Sequence, residues 1–390
     1  MDGNIKAALD IGTYNINVVI ANDAASKNII GYGESPSIGF KKGMVSDIEA
    51  CAKSIRAAVE QAEKMAGVRI SSAYVGFSGS EIISTNIIST LELNQPNKEI
   101  SSSDIQLIKD SCGTKVHTEE FLIIHLIPRD YAVNGCWGID DPTGMVGSNM
   151  ELEAHLVRAR VAAIRNLYKA LQRAEIKPME LLFTPLVIAE QLLEQAEKEI
   201  GTMVVDIGGS TTGLCWYHRG KPWLTTSLPI GSEHITSDMA IGLRAPMSVV
   251  AEIKSNFDLA EIAASAEEIE ITGLSDHQLK RVSGQLVKKI IEARLSEIID
   301  LIQTSIINYG QGVTPTELVL VGGGSKLKGL PEFFSQTIDI PVRVADINGT
   351  AAQLLINYGV QKHAKKYQKD EKLLKKFKST FRSVINRFKN

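Results

Sequence analysis

A chain of 390 residues, 44% hydrophobic and 22% charged, is too long for one compact core and too apolar for disorder, so two or more folded domains are expected. No apolar run reaches the ~18 residues that span a bilayer, the first six residues lack the apolar stretch of a secretory signal, and four scattered cysteines without C-x-x-C spacing argue against a zinc or disulfide framework and fit a reducing cytoplasm. The net charge of −3 divides unevenly: residues 361–390 carry 11 Lys/Arg against 2 Asp/Glu, a net of +9, and the remaining 31 basic and 43 acidic residues leave −12, so the tail is expected to meet a polyanion.

In chain order, residues 7–11 read as an apolar strand, Gly12 and Thr13 break it, and residues 16–20 resume it. Ser46 and Asp47 open a helix whose apolar spacing continues to Met65, and residues 73–77 read as a short strand. Residues 81–160 have another texture: strands over 82–93, 121–133 and 150–160, a short helix over 103–112, and a turn at Asp141-Pro142-Thr143-Gly144. This stretch predicts a small α+β insert, after which a helix over 161–174 returns to the main body. A second apolar strand at 203–207 is broken by Gly208-Gly209-Ser210 and resumed at 213–217. The opening pattern thus recurs 196 residues later, with Asp206 matching Asp10, and such a recurrence predicts a duplicated lobe. Helices are expected over 232–242, 246–255 and 283–309, then a strand at 317–321, the turn Gly322-Gly323-Gly324, and a helix at 329–337.

Each strand-turn-strand unit sets an aspartate at a strand end beside a glycine turn. Gly12, Gly208 and Gly209 let backbone N–H groups approach phosphate oxygens with no Cβ in the way, and the hydroxyls of Thr13, Ser210 and Thr211 add donors. Asp10 and Asp206 can hold Mg²⁺ through its waters, the usual way this ion is kept near phosphates. Gly322, Gly323 and Gly324 offer bare backbone to a flat base or ribose. One D-I-G-T or one G-G-G is usually only a turn. All three in this order and spacing predict a polyphosphate clamp between two lobes.

The set resembles the phosphate 1, phosphate 2 and adenosine motifs of the actin, Hsp70 and sugar-kinase superfamily. Within it, the chain resembles the FtsA family of bacterial cell-division proteins over nearly its whole length. The segments that carry this are residues 39–49 (GFKKGMVSDIE), 125–132 (HLIPRDYA), 138–147 (GIDDPTGMVG), 236–240 (TSDMA) and 290–294 (IIEAR). The resemblance implies a two-lobed, actin-like (ribonuclease-H-like) α/β fold with residues 81–160 as the family's insert subdomain. It implies ATP binding, with Mg²⁺, and assembly into actin-like filaments. It also implies recruitment of the tubulin-like protein FtsZ to the membrane, with other division proteins meeting the insert. Lys254, by its position in the helix after Thr236-Ser237-Asp238, is expected to reach the adenosine, whereas Glu252 is one residue out of register. Arg294 falls in the region that by resemblance faces the acidic C-terminal peptide of FtsZ; its alternative is a solvated helix arginine. Three departures each remove a charge the family often has: Asn15 stands for a lysine, Gly213 for an aspartate, and Thr184 for the glutamate before Pro185. Nucleotide binding with at most a weak ATPase is therefore expected, and no catalytic residue is assigned.

The tail has its own logic. On a wheel of 3.6 residues per turn, Leu373, Leu374, Phe377, Phe381, Val384, Ile385 and Phe388 fall within one third of the circumference, and Lys372, Lys375, Lys376, Lys378, Arg382 and Arg387 fall outside it. A basic polar face behind a Phe/Leu stripe is the signature of a helix lying in a membrane interface. A helix docked on the protein's own core does not need so many cations, and a nucleic-acid contact does not need the stripe. Anionic lipid is therefore the expected partner, and nucleic acid is not expected. Residues 361–370, charged and poor in apolar groups, read as a tether.

The expected organisation is a first lobe over 1–80 and 161–200, the insert at 81–160, a second-lobe core over 201–228 and 312–360, an outer subdomain at 229–311, the tether at 361–370 and the amphipathic helix at 371–390. The expected place is the inner face of the cell membrane at the division site. Trp137, Trp216 and Trp223 read as packing, and Asp140-Asp141 as turn chemistry. Two rivals share the fold. A PilM-like scaffold of pilus assembly or secretion is not expected to carry a terminal membrane helix, and a small-molecule kinase needs an Asp general base in the first lobe, for which the sequence offers no convincing motif.

Overall fold

The computed structural model describes residues 5–22, 28–41, 43–95, 97–261, 268–273, 279–347 and 349–362. The chain opens with β1 (Lys6–Ile11), β2 (Asn15–Ala21) and β3 (Ile29–Pro36), then a short hairpin of β4 (Phe40–Lys41) and β5 (Met44–Val45), α1 (Ile48–Ala66) and β6 (Ser72–Phe77). Asp47 starts α1 by accepting from the backbone N–H groups of Glu49 and Ala50, and Gly67, at φ 68°, ends it. The insert follows: β7 (Ile82–Glu92), β8 (Lys98–Glu99), α2 (Ser102–Lys115), β9 (Phe121–Val133), β10 (Cys136–Ile139), β11 (Val146–Gly147) and β12 (Asn149–Arg160). Its main sheet has the order β10-β9-β12-β7, and Ile105, Ile108 and Cys112 of α2 close a core with Met150, Leu152 and Ala154. Next, α3 (Val161–Arg173) and β13 (Lys177–Phe183) complete the first lobe, and α4 (Thr184–Leu192) and α5 (Gln195–Ile200) cross to the second.

The second lobe comprises β14 (Thr202–Ile207), β15 (Thr212–His218), β16 (Lys221–Leu228), α6 (Ser232–Leu243), α7 (Met247–Asn256), β17 (Glu268–Thr272), β18 (Leu279–Ser283), α8 (Gly284–Gly310), β19 (Glu317–Val321), a 3-10 turn at Gly323–Lys326, α9 (Leu330–Thr337) and β20 (Val342–Val344). A helix over residues 351–362 then packs back on the first lobe, where Leu355 and Ile356 share a core with Ala8, Val19, Tyr74 and Leu182.

The duplication expected from the two strand-turn-strand units extends through both lobes. The first sheet reads β13-β6-β1-β2-β3 and the second, in the corresponding sense, β20-β19-β14-β15-β16. The strand directions match pair for pair: β1 and β14 are antiparallel to their hairpin partners and parallel to β6 and β19. By the same correspondence α1 answers to α8, and α3 to α9. The lobes differ in where they carry extra chain. The first inserts residues between β6 and α3; the second places α6, α7, β17 and β18 between β16 and α8. Both faces of each sheet are covered, as parallel strands require: Leu9 and Ile11 face one core, and Ala8 faces another.

The insert is fastened to the second lobe by a buried polar cluster. His155 of β12 is fully buried; its Nδ1 lies 2.6 Å from Asn86 Oδ1 and its Nε2 2.9 Å from Thr225 Oγ1. The Thr225 N–H donates to Ser84 Oγ, and Arg129 lies over the Trp223 ring, 4.4 Å from its centroid, while donating to the Pro222 carbonyl. Burial, with Arg129 and His125 adding to it, lowers the His155 pKa to about 3, so the ring is neutral at neutral pH. A histidine whose folded pKa lies below its unfolded value stabilises the fold above the unfolded pKa, and that contribution is lost as pH falls. His155→Ala is therefore expected to cost about 1–3 kcal/mol at neutral pH by taking the histidine partner from Asn86 Oδ1 and Thr225 Oγ1. That cost should shrink toward pH ~5, which urea denaturation at two pH values would measure.

Candidate functional site

In both lobes the parallel strands deliver their C-terminal ends to the same edge, where open α/β sheets bind ligands. Between the two edges lies a cleft of 710 Å³. Asp10 ends β1 opposite Asn17, and Asp206 ends β14 opposite Gly213, so the duplication brings two carboxylates together in the cleft. Burial pushes Asp206 up to about 7, with Asp10 adding to the effect. Burial also raises Asp10 to about 6, opposed by the hydroxyl of Thr184, which donates to Asp10 Oδ1 at 2.9 Å. Two desolvated like charges are costly unless protons or a cation share the site.

The turns that follow these strands touch each other across the cleft. The Ser210 N–H donates to Thr13 Oγ1 at 2.9 Å, and Thr211 Oγ1 donates to the Ser78 carbonyl at 3.0 Å. Ser210 Oγ donates to Glu233 Oε2 at 2.8 Å. Glu233 opens α6, whose first backbone N–H groups reach back to the same loop: Ser232 to the Gly208 carbonyl and Glu233 to that of Gly209. At the other end of the cleft, Lys254 of α7 donates to the Ser232 carbonyl at 2.9 Å and to Thr236 Oγ1 at 2.7 Å. Burial lowers the pKa of this lysine, with Glu233 opposing. Gly322, at φ 87°, stands where a Cβ would strike Asp206 Oδ1, so bare backbone is required beside the carboxylate.

Ten of the twelve expected nucleotide-site residues line this cleft: Asp10, Gly12, Thr13, Asp206, Gly208, Gly209, Thr211, Lys254, Gly322 and Gly323. Ser210 sits beside it with both its N–H and its hydroxyl engaged, and Gly324 lies against Ile207 instead, where a Cβ would strike the isoleucine side chain and carbonyl. Arg294 does not reach the cleft. On α8 its Nε donates to Asp238 Oδ2 of α6 at 2.7 Å, and it also pairs with Glu297. The seven expected membrane residues, Leu373, Leu374, Phe377, Phe381, Val384, Ile385 and Phe388, lie outside the described residues.

The three departures have structural counterparts. Thr184 replaces a charge by a neutral donor to Asp10. At Gly213 a Cβ would overlap the Pro185 ring, so no longer side chain fits there. Asn15 donates to Glu34 at the cleft mouth. Motif reading passed over Glu233, Ser78, Ser248, Ala251 and residues 350–351, all of which line the cleft. The duplication held the signal for two of these. Ser78 follows β6 as Gly322 follows β19, and Thr350 opens one interlobe helix as Thr184 opens the other.

The family model described as "Cell division protein FtsA" matches residues 203–364, and that of the "SHS2 domain inserted in FTSA" matches residues 79–158. The cell-division protein FtsA of Pseudomonas aeruginosa is 31% identical over 347 residues, covering 88% of this chain and 83% of that protein. FtsA of Bacillus subtilis is 31% identical over 350 residues, covering 89% and 80%. Among solved structures, the PilM–PilN type IV pilus biogenesis complex superposes with a TM-score of 0.61 at 16% identity, covering 91% of this chain and 96% of that one. MreB5 of Spiroplasma citri bound to ADP superposes with 0.57 at 11%, covering 95% and 99%. The fold is actin-like.

A carboxyl whose folded pKa lies above its unfolded value weakens the fold as it ionises, so apo-protein stability should fall as pH rises from about 4 to about 7. Asp206→Asn removes part of that cost. It is expected to raise the apo melting temperature at pH ~7.5 by roughly 2–4 °C and to flatten its pH dependence, while reducing the stabilisation given by added Mg²⁺ and ATP. A thermal-shift series with and without ligand would register both opposite changes.

Proposed function

The chain belongs to the FtsA family of cell-division proteins, and on that premise we propose that it is an ATP-binding, filament-forming adaptor that tethers FtsZ to the cytoplasmic face of the cell membrane and helps recruit later division proteins. The observation that carries this reading is the cleft, where Asp10 and Asp206 face each other between two glycine-hydroxyl turns. Asp10 and Asp206 would hold Mg²⁺ through water. Gly12, Thr13, Gly208, Gly209, Ser210 and Thr211 would cradle the phosphates, and Lys254 with Gly322, Gly323 and Gly324 would take the nucleoside. Among the described residues no three metal-ligating side chains converge, so the ion's other ligands would be phosphate and water, which suits Mg²⁺. ADP held by a solved neighbour of this fold supports a nucleotide as the ligand. A bound Mg²⁺ would supply charge neutralisation of the phosphates. With Thr184 standing where the family often has a glutamate, and its hydroxyl held on Asp10, turnover of that nucleotide would be slow.

The division of labour follows the regions set out from the sequence. The lobes over 1–80 with 161–200 and 201–228 with 312–360 bind nucleotide and stack into filaments. The insert at 81–160 meets other division proteins. The outer subdomain at 229–311 presents Arg294 to the acidic C-terminal peptide of FtsZ, whose carboxylates would replace Asp238 and Glu297 as its partners. Residues 371–390 lie on anionic lipid, with 361–370 as tether. Each cation near an anionic leaflet contributes about 1 kcal/mol, and partial burial of seven apolar side chains adds several more. Ordering the helix takes some of that back. One tail would bind reversibly, and an array of tails on a filament would bind far more firmly.

Co-sedimentation with anionic liposomes tests this reading, comparing the wild type with Phe377→Glu plus Phe381→Glu, each with and without Mg²⁺ and ATP. Only the wild type should pellet, and more strongly with ATP. If both pellet alike, or neither does, the membrane-adaptor reading fails and a scaffold of the pilus-assembly kind takes its place.

A further inference from the structure

The first lobe has a pole opposite the cleft. Strands β6 and β13 run parallel and begin there, at Ser72 and Lys177, so the loops before them and the C-terminal ends of α1 and α3 gather at that end. The helix over residues 351–362 leads to the same end. It starts at the cleft, where Ala351 is part of the lining. It then passes Gly76 at Leu355 and Tyr74 at Gly359, and Lys362 pairs with Glu180 of β13.

This pole is basic. Lys169 and Lys177 line one open hollow of 600 Å³, and Lys64 and Arg69 line another of 340 Å³. All four are exposed, and among the described residues none belongs to an ion pair. Neighbouring acids are engaged elsewhere: Glu60 and Glu63 pair with Arg56, and Glu49 pairs with Arg173. Glu175 lines the hollow beside Lys169 and Lys177, where it offsets one of their two charges, and also lies within electrostatic reach of Arg56. Apolar tips stand among the cations, with Met65 66% exposed and Tyr168 and Met179 each 45%. Exposed cations interleaved with an aromatic and two thioethers suit the headgroup layer of a bilayer, where amphipathic side chains settle and anionic lipid attracts the charges. The rest of the chain before the tether is acidic, which makes this pole stand out.

We propose that this pole, through Lys64, Arg69, Lys169 and Lys177, is a second membrane-contact surface that rests on an anionic bilayer. The inference rests on the reading that the chain works at a membrane. Residues 361 and 362 close the helix over 351–362 rather than belonging to the tether, so a tether over 363–370 reaches at most about 29 Å, and a bilayer gripped by residues 371–390 is never far from the pole from which the tether leaves.

The experiment is flotation of the full chain with vesicles of phosphatidylcholine alone or mixed with phosphatidylglycerol. It compares wild type, the quadruple variant Lys64→Ser, Arg69→Ser, Lys169→Ser and Lys177→Ser, and a charge-keeping variant Lys64→Arg, Lys169→Arg and Lys177→Arg. The quadruple variant is expected to bind phosphatidylglycerol vesicles about tenfold more weakly or worse, with a shallower salt dependence. The charge-keeping variant should bind like wild type, and the stabilisation by Mg²⁺ and ATP should be the same in all three. If the quadruple variant loses that stabilisation, the pairs Lys64/Arg69 and Lys169/Lys177 are changed separately, each with about a threefold loss expected. Equal binding of wild type and variant overturns the proposal, as does an equal loss on phosphatidylcholine alone. Retained vesicle binding with loss of duplex DNA binding would also overturn it and assign the pole to nucleic acid. The Phe377→Glu plus Phe381→Glu variant, run beside these, reports on the tail alone. The two readings therefore fail separately.

Discussion

Two carboxylates that repel each other sit where the two lobes face, and burial together with that repulsion makes ionising both of them cost the fold stability. Asp10 and Asp206 reach that position because each ends the central strand of a five-stranded sheet built to the same plan. The rest of the cleft follows from them. Gly322 must be bare because it abuts Asp206. Thr184 must be small and polar because its hydroxyl serves Asp10. The turns beyond each aspartate come close enough for Ser210 and Thr13 to bond directly. A ligand that brings both a divalent cation and a chain of anionic oxygens resolves the repulsion and meets the donors at once.

The duplicated plan also explains where the lobes can differ. Extra chain enters at the periphery, after β6 in the first lobe and after β16 in the second, so neither insertion displaces a cleft turn. The second lobe's extra helices do more than decorate it. α6 begins against the glycine loop through Ser232 and Glu233 and carries Asp238, the partner of Arg294, two turns further on. One helix thus touches both the glycine loop at the cleft and the region proposed to meet a partner peptide. Rigid elements with a contact at each end are a physical route by which two sites bias each other.

The repeated aspartate-glycine turns were legible in the sequence because they occur twice in the same order, and repetition is rare by chance. The third turn, α1 with its Asp47 cap, and the insert's long strands were legible from punctuation and period. β13 and α4 were not. Residues 181–189 form one apolar run, LLFTPLVIA, buried as a strand to Phe183 and then as a helix. A segment buried on all sides shows neither period 2 nor period 3.6. Glu233 and Lys254 were hard for another reason. They reach the cleft from the outer subdomain, from elements with no counterpart in the first lobe, so the duplication could not point to them.

On the proposed membrane reading, charge and topology together would orient the molecule. Before residue 361 the chain carries a net −12, and an anionic leaflet repels such a body at any face that comes within about 8 Å, the reach of unscreened charge in physiological salt. The basic pole of the first lobe is a face where that sign is reversed, and the helix over residues 351–362 runs toward it. A body held there has its cleft turned away from the lipid, with the second lobe beyond the cleft. α6 and α8 would then face away from the lipid, where the acidic peptide of the proposed partner could reach Arg294. Strong adhesion by the tail alone would leave the body free to tumble on its tether. A weak basic contact on the body costs little binding energy to maintain, and it turns attachment into orientation, which a filament lying flat on a membrane requires of every subunit.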